Sequence, residues 1–173
     1  ANCTPSKIRE FNSLASKLNA KFKLTLGEPD FDTPIEIKDA LIEAVNQNHT
    51  RYAPTVGNKN LREEICKFEK RVNKVSYEPD EVLITTGSTE ALTAALFTLL
   101  NQDDEVIVPI PCYALYEPVI SYCGAKMIPL DTRPDFQISK GHLEALINNK
   151  TKAILLTSPN NPTGTIYDDK TLE

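Results

Sequence analysis

The chain has 173 residues, of which 40% are hydrophobic and 25% are charged, a composition typical of one globular domain rather than a disordered segment. Its formal net charge is −5 and it contains no basic stripe, so we do not expect it to bind nucleic acid. Its apolar runs are far shorter than the roughly 20 residues needed to cross a bilayer, and no leader opens the sequence. We therefore expect a cytoplasmic protein with no membrane association.

The first half of the sequence predicts amphipathic helices, because its apolar residues recur at helical spacing. A loop rich in glycine, proline and aspartate separates the first two helices. Pro34 suits the first position of the second helix, since proline has no N–H to lose there. The third helix is highly charged and follows an irregular stretch. The predicted helices extend over residues 8–18, 34–48 and 61–72.

In the second half, short apolar strands alternate with helices. Strands that are apolar on both faces and separated by helices predict a parallel sheet covered by helices. The predicted fold class is therefore α/β, with a mainly parallel sheet in a partial three-layer α/β/α sandwich and an N-terminal helical segment. The predicted strands extend over residues 81–86, 105–109, 126–130 and 153–157. The predicted helices extend over residues 89–100, 116–122 and 142–147, and residues 168–173 open another helix.

The first candidate site follows the first predicted strand. Ligands of open parallel sheets bind at the carboxyl ends of the strands, so residues just after each strand are the strongest candidates for a binding site. Gly87, Ser88 and Thr89 combine free backbone N–H groups, a helix N-terminus and two hydroxyl groups, which together favour a phosphate. Ordinary helix capping explains the same three residues equally well.

Two further candidates follow later strands. Tyr113 could stack on a flat heterocycle, although half-buried packing is the commoner role of such a ring. Asn161 could donate to a phenolate oxygen, although a turn rich in proline and glycine also uses asparagine. Phosphate donors, an aromatic ring and an amide together suit a phosphorylated aromatic cofactor such as pyridoxal phosphate. A dinucleotide or P-loop site is the alternative, but neither glycine-rich motif occurs in the sequence.

The cysteines and histidines do not indicate a metal or redox site. The four cysteines lack both CxxC spacing and a nearby pair of histidines, so we expect free thiols. His49 and His142 are isolated from each other, and we assign neither of them a role.

Five segments resemble class I/II aminotransferases of the aspartate and aromatic type, in both order and spacing. The resemblance covers nearly the whole chain. The segments are LTLGEPDFDTP (24–34), RYAPTVGNKNLREEI (51–65), TTGSTEAL (85–92), PCYALYEP (111–118) and SPNNPTG (158–164).

This resemblance implies an enzyme that moves an amino group between an amino acid and a 2-keto acid with pyridoxal 5′-phosphate. It implies an N-terminal segment over residues 1–48 and the first part of the cofactor-binding large domain over residues 49–173. It also implies a homodimer, because Tyr52 matches a tyrosine that reaches the cofactor phosphate of the neighbouring subunit. The other matched residues are Gly27 beside the substrate carboxylate, Gly87, Ser88 and Thr89 at the cofactor phosphate, Tyr113 on the pyridine ring and Asn161 at the phenolic oxygen.

The resemblance also implies what lies outside this sequence. In the family, the lysine that carries the cofactor and two other site residues follow the NPTG motif. Lys140 precedes that motif and is not taken as catalytic, so we expect no catalytic residue here and an inactive N-terminal portion. The segment before Gly87 would then lack its usual neighbouring strands, and we expect a partner or a rearrangement to cover it. The alternatives are another reaction of the same cofactor, β-elimination or decarboxylation, and a cofactor-binding module without catalysis.

Overall fold

The computed structural model describes residues 7–18, 22, 25, 27 and 29–172. The chain divides into two compact units with a boundary between Thr85 and Thr86, called the N-terminal unit and the C-terminal unit below. The predicted domain division at residues 48 and 49 stays a prediction.

The N-terminal unit contains the three predicted helices. They are α1 (Lys7–Ala15), α2 (Ile35–Asn46) and α3 (Lys59–Val72), and a short 3-10 turn follows at Pro79–Glu81. The start of α3 is fixed by Asn58, whose side-chain oxygen accepts hydrogen bonds from the N–H groups of Asn60 and Leu61. Arg62 of the same helix is 7% exposed, and its guanidinium donates to the Pro79 carbonyl. This bond attaches the 3-10 turn to α3.

The C-terminal unit contains the α/β fold that the sequence predicts. Its three parallel strands are β1 (Glu105–Ile110), β2 (Lys126–Asp131) and β3 (Thr151–Ile154). They lie in the order β2-β1-β3, so β1 is the central strand. Ile107 of β1 lies opposite Ile128 on one side and Ile154 on the other. The elements in chain order are α4 (Ser88–Leu99), β1 (Glu105–Ile110), α5 (Tyr116–Tyr122), β2 (Lys126–Asp131), α6 (Lys140–Leu146), β3 (Thr151–Ile154) and α7 (Asp169–Leu172).

The core of this unit surrounds β1. Val106, Ile107 and Val108 are fully buried, as expected of a central strand that is covered on both faces. Ile120 of α5 is also fully buried, and Leu96 of α4 packs in the same cluster. Burying each such side chain stabilises the fold by about 1.5–3 kcal/mol. The buried strand thereby fixes where the loop after its carboxyl end begins.

The strand predicted at residues 81–86 is wrong. That segment begins at the last residue of the 3-10 turn, and the Ile84 N–H donates to the Val56 carbonyl of the preceding loop at 3.2 Å. Within the part of the chain that the structure describes, the sheet has three strands, and this segment pairs with none of them. Its β-branched residues favour extended backbone, but a strand also requires a neighbour with which to form a ladder. Covering of this segment by a partner or a rearrangement stays a prediction.

Smaller differences concern element ends and cysteines. The last strand begins at Thr151 and ends at Ile154, two to three residues earlier than the prediction of 153–157. Cys66, Cys112 and Cys123 are free thiols, as predicted, and Cys3 lies outside the described residues. None of the helices in the described ranges is long and apolar enough to span a membrane.

Candidate functional site

Two loops that follow parallel strands meet at the carboxyl edge of the sheet. The β1 loop (residues 111–115) follows the central strand, and the β3 loop (residues 155–165) follows its neighbour. The Asn160 side chain joins them, because its Nδ2 donates to the Pro111 carbonyl at 2.9 Å. The same nitrogen donates to Thr163 Oγ1 at 2.8 Å, inside the β3 loop. The two loops are therefore held together by a side-chain hydrogen bond beyond the end of the sheet.

Tyr113 in the β1 loop is held by a second aromatic ring. Its ring lies edge-on to that of Tyr116, with centroids 5.6 Å apart and planes at 81°. Tyr116 is buried, and its hydroxyl oxygen lies 2.6 Å from Thr157 Oγ1 of the β3 loop. Tyr113 itself is half-buried, so part of its ring surface remains accessible. A fixed, partly accessible ring can serve as a stacking surface for a flat heterocycle.

Asn161 lies at the exposed tip of the β3 loop. The turn is closed by two backbone hydrogen bonds of Asn160, from its N–H to the Thr165 carbonyl and from the Gly164 N–H to its carbonyl, both 2.8 Å. Asn161 is thus presented by a fixed turn, and its amide is accessible to a ligand.

The third candidate, the start of α4, begins at a glycine. Gly87 is the N-cap residue with φ 86° and ψ 166°, a backbone conformation that is essentially restricted to glycine. No described side chain caps the helix there, and the first N–H groups of a helix have no intrahelical acceptor. Ser88 and Thr89 are exposed beside them. The arrangement offers N–H and hydroxyl donors at the positive end of a helix dipole, which is favourable for an anion.

Glu90 adds a negative charge to the first turn of this helix. Its carboxylate accepts a hydrogen bond from the N–H of Thr86, the residue before the N-cap, and a negative charge in the first turn interacts favourably with the helix dipole. The carboxylate therefore competes with any anion for the helix dipole, and hydroxyl donors such as those of Ser88 and Thr89 must offset that repulsion.

The thiol and phenol near the β1 loop are unsuited to act as nucleophiles. Burial raises the pKa of the Cys112 thiol, with a further rise from the Glu117 carboxylate. Burial also raises the pKa of the Tyr167 phenol, which is 5% exposed. Both groups are accordingly protonated at neutral pH, which disfavours nucleophilic attack by either of them.

The predicted site residues occupy both units. Tyr113 packs against the core cluster of the C-terminal unit together with Leu92, which lies one turn after Ser88. Gly27 and Tyr52 belong to the N-terminal unit, where both are exposed, and the Tyr52 side chain is fully accessible. The roles assigned to these residues by resemblance stay predictions.

Sequence reasoning missed the residues that connect the two loops. The sequence places Tyr116 at the same sheet edge as Tyr113 but does not reveal its contact with Thr157, and it favours Asn161 over the neighbouring Asn160. One signal was available, because Tyr116 stands three residues after Tyr113 at the start of a helix, where two rings can meet. The bond from Asn160 to Pro111 joins residues 49 positions apart and has no local signature.

The C-terminal unit is an open parallel α/β fold with polar and aromatic loops at the carboxyl edge of its sheet, which is where such folds bind their ligands. The family model described as "Aminotransferase class I and II" matches residues 19–173, and the chain belongs to this family. Its members use pyridoxal phosphate.

Individual relatives agree with the family assignment. A putative aminotransferase of Bacillus subtilis, YugH, is 37% identical over 97% of this chain and 44% of its own length. Aromatic-amino-acid aminotransferase 2 of Thermococcus litoralis is 35% identical over 98% of this chain and 44% of its own. The structure of Thermus thermophilus aspartate aminotransferase with maleate superimposes with a TM-score of 0.91 at 35% identity, over 98% of this chain and 46% of that one. The chain thus spans less than half the length of these relatives.

Proposed function

We propose that the protein is a pyridoxal-phosphate-dependent aminotransferase that moves an amino group between an amino acid and a 2-keto acid. Family membership supports the reaction type. The observation that carries the proposal is the meeting of the β1 and β3 loops, which keeps the Tyr113 ring and the Asn161 amide at one edge of the sheet.

The donors on this chain fit the chemical groups of the cofactor. In the proposal, the N–H groups at Gly87 to Thr89 and the hydroxyls of Ser88 and Thr89 hold the phosphate. The space beside Gly87 supports this, since a Cβ built there would meet no atom of the described residues within 4 Å and a ligand can approach the start of α4 closely. Tyr113 stacks on the pyridine ring, and Asn161 donates to the phenolic oxygen.

The remaining roles concern the substrate and the subunit interface. When bound, the cofactor supplies an electron sink for the carbon that bears the amino group. Gly27 lies beside the substrate carboxylate in the proposal. Tyr52 reaches the phosphate bound by a second copy of the chain, which requires a homodimer. Its fully accessible side chain supports such a role.

Binding is tested first, on the protein at its natural full length. Equilibrium dialysis with pyridoxal phosphate should show saturable binding, and Ser88→Ala combined with Thr89→Val should weaken it, since the phosphate loses two hydroxyl donors. As a matched control, Thr93→Val and Thr98→Val remove two hydroxyls from the same helix that donate to its own carbonyls. Binding that is absent from the wild type, or equal in both double variants, would contradict the site.

The reaction is tested second. An amino donor panel that includes aspartate and aromatic amino acids should yield the 2-keto acid and aminate an added 2-keto acid acceptor in equal amounts. Release of ammonia or carbon dioxide without amination of the acceptor would favour β-elimination or decarboxylation. Cofactor binding without any turnover would favour the non-catalytic module.

A further inference from the structure

Asn160 lies where the backbone pairing of β1 and β3 has ended. Within the described residues, the last backbone hydrogen bond between these two strand segments runs from the Leu155 N–H to the Ile107 carbonyl at 3.0 Å. Beyond it, the two loops are joined by side-chain contacts, and the bond from Asn160 to Pro111 is the one nearest to Asn161.

The contacts of Asn160 determine the orientation of its amide. The Pro111 carbonyl can only accept a hydrogen bond, so the amide nitrogen must face it. The second amide hydrogen is donated to Thr163 Oγ1, which also accepts the Thr165 N–H at 3.3 Å. With its backbone N–H and carbonyl bonded to Thr165 and Gly164, Asn160 holds the turn from within and joins it to the opposite loop.

We propose that Asn160 is a positioning residue, which sets the separation of Tyr113 and Asn161 by fixing the β3 loop to the Pro111 carbonyl. Pro111 stands two residues before Tyr113, and Asn160 stands one residue before Asn161, so little chain remains on either side to absorb a displacement. The inference rests on the proposed function, because it deepens the description of the same cofactor site. Asn160 acts through its neighbours and is assigned no contact with the cofactor.

The variant Asn160→Asp tests this with almost no change in side-chain shape. It places a carboxylate oxygen against the Pro111 carbonyl, where two acceptors repel each other. In the full-length protein, we expect a dissociation constant for pyridoxal phosphate raised by about tenfold or more, as for a site displaced by a fraction of an ångström. We also expect weaker induced circular dichroism of the cofactor at saturation, because the Tyr113 ring and the cofactor are no longer aligned.

Asn148 supplies a matched control at the opposite end of the same strand pair. Its Nδ2 donates to Glu105 Oε2 at 2.8 Å, so it also joins the β1 and β3 chains by a side-chain amide. Asn148→Asp should leave the dissociation constant and the dichroism within about twofold of the wild type, since it lies at the amino edge of the sheet. Equal effects of the two variants would overturn the inference in favour of general loosening.

A double-mutant cycle separates positioning from a general structural role. If Asn160 acts through Asn161, the loss of affinity caused by Asn160→Ala should shrink to about twofold or less in an Asn161→Ala background. An undiminished loss would overturn the inference. If the Asp and Ala variants do not fold, judged by far-ultraviolet dichroism and melting, the milder Asn160→Ser is used in the same cycle.

Cofactor binding by the wild type distinguishes failure of the proposed function from failure of this inference. A wild-type protein that binds no pyridoxal phosphate overturns the proposed function and this inference together. A wild type that binds the cofactor, with Asn160→Asp binding equally well and giving the same dichroism, overturns this inference alone.

Discussion

Gly57 and Gly87, two of the four described glycines with positive φ, differ in what surrounds them. Gly57 has φ 95°, and a Cβ built on it would clash with Cγ1 of Ile84. Gly87 has φ 86°, but a Cβ there would meet no atom of the described residues within 4 Å. Gly57 is therefore required by both conformation and space, whereas Gly87 is required by conformation alone.

The contrast between Gly57 and Gly87 predicts which of two alanine substitutions destabilises the fold more. Gly87→Ala should lower the free energy of unfolding by about 1–3 kcal/mol, through backbone strain. Gly57→Ala should cost more, because Ile84 must also move. Urea unfolding of both variants measures the difference, and Gly141→Ala, within α6 and with open space for a Cβ, is the control. A Gly57→Ala variant that is less destabilised than Gly87→Ala would contradict this account.

The motif SPNNPTG identifies one residue of the candidate site and leaves its neighbour out. The segment SPNNPTG identified Asn161 as the candidate amide, because resemblance is carried by residue types in order. The contacts of Asn160 could not be predicted, since its partner Pro111 is 49 positions away and depends on where β1 ends.

At the scale of elements, α4 differs from the other helices because it is apolar on nearly all sides. Such a helix is expected to be buried all round. In this chain Leu96 is 5% exposed, but Phe97 and Leu99 on its other faces are 60% and 52% exposed. The helix contributes one face to the core of the C-terminal unit.

The one-sided burial of α4 predicts that the same leucine-to-alanine truncation destabilises the fold more at Leu96 than at Leu99. Leu96→Ala should lower the free energy of unfolding by about 2–5 kcal/mol, because it leaves a cavity in the core. Leu99→Ala removes the same atoms from an exposed position and should cost about 0.5 kcal/mol or less. Thermal and urea unfolding of this chain compare the two. An equally large loss for Leu99→Ala would show that another surface covers this face.

The carboxyl end of β2 carries a pH-dependent contact. Asp131 accepts hydrogen bonds from the Arg133 Nε at 2.9 Å and from the Arg133 backbone N–H at 3.1 Å. These bonds and the guanidinium charge lower the pKa of Asp131 from 3.8 to about 2. Because the pKa of Asp131 is lower in the folded state, its contact with Arg133 stabilises the fold at pH values above the unfolded-state pKa of 3.8. This stabilisation is lost as the pH falls through the folded-state pKa of about 2.

The lowered pKa of Asp131 predicts how the substitution Asp131→Asn changes the pH dependence of stability. Between about pH 4 and pH 2, the free energy of unfolding should fall less steeply in the variant than in the wild type. Urea unfolding across this pH range measures the slope. Asp135→Asn is the control, since Asp135 forms no ion pair with any described residue. Parallel slopes for wild type and Asp131→Asn would refute the predicted role of the ion pair.

At the scale of the whole molecule, the proposed site requires more than one copy of the chain. Tyr52 is fully exposed in the single chain, and its proposed ligand is the phosphate bound by a neighbouring subunit. A residue of this kind should affect cofactor binding and assembly-dependent properties while leaving the stability of its own unit unchanged.

The variant Tyr52→Phe tests this arrangement. The loss of one hydrogen bond to a charged phosphate should weaken binding of pyridoxal phosphate roughly 10- to 100-fold. The melting temperature without cofactor should not change. Tyr122→Phe, at a tyrosine that is 74% exposed, is the matched control, and sedimentation should show a dimer in all three proteins. A monomeric wild type that binds the cofactor with full affinity would exclude a role for Tyr52 across the interface.

The amino-acid sequence by itself determined the helices, the α/β class and the family. Helix periodicity is a local property, as in α3 and α5, and motifs such as GEPDFDTP and SPNNPTG carry family membership in their residue order. The tertiary structure alone decided that residues 81–86 form no strand, that α4 leaves Phe97 exposed and that Asn160 joins the two loops. Each of these outcomes depends on which distant segment lies alongside, because ladders, burial and cross-loop hydrogen bonds need a partner whose position the local sequence does not specify.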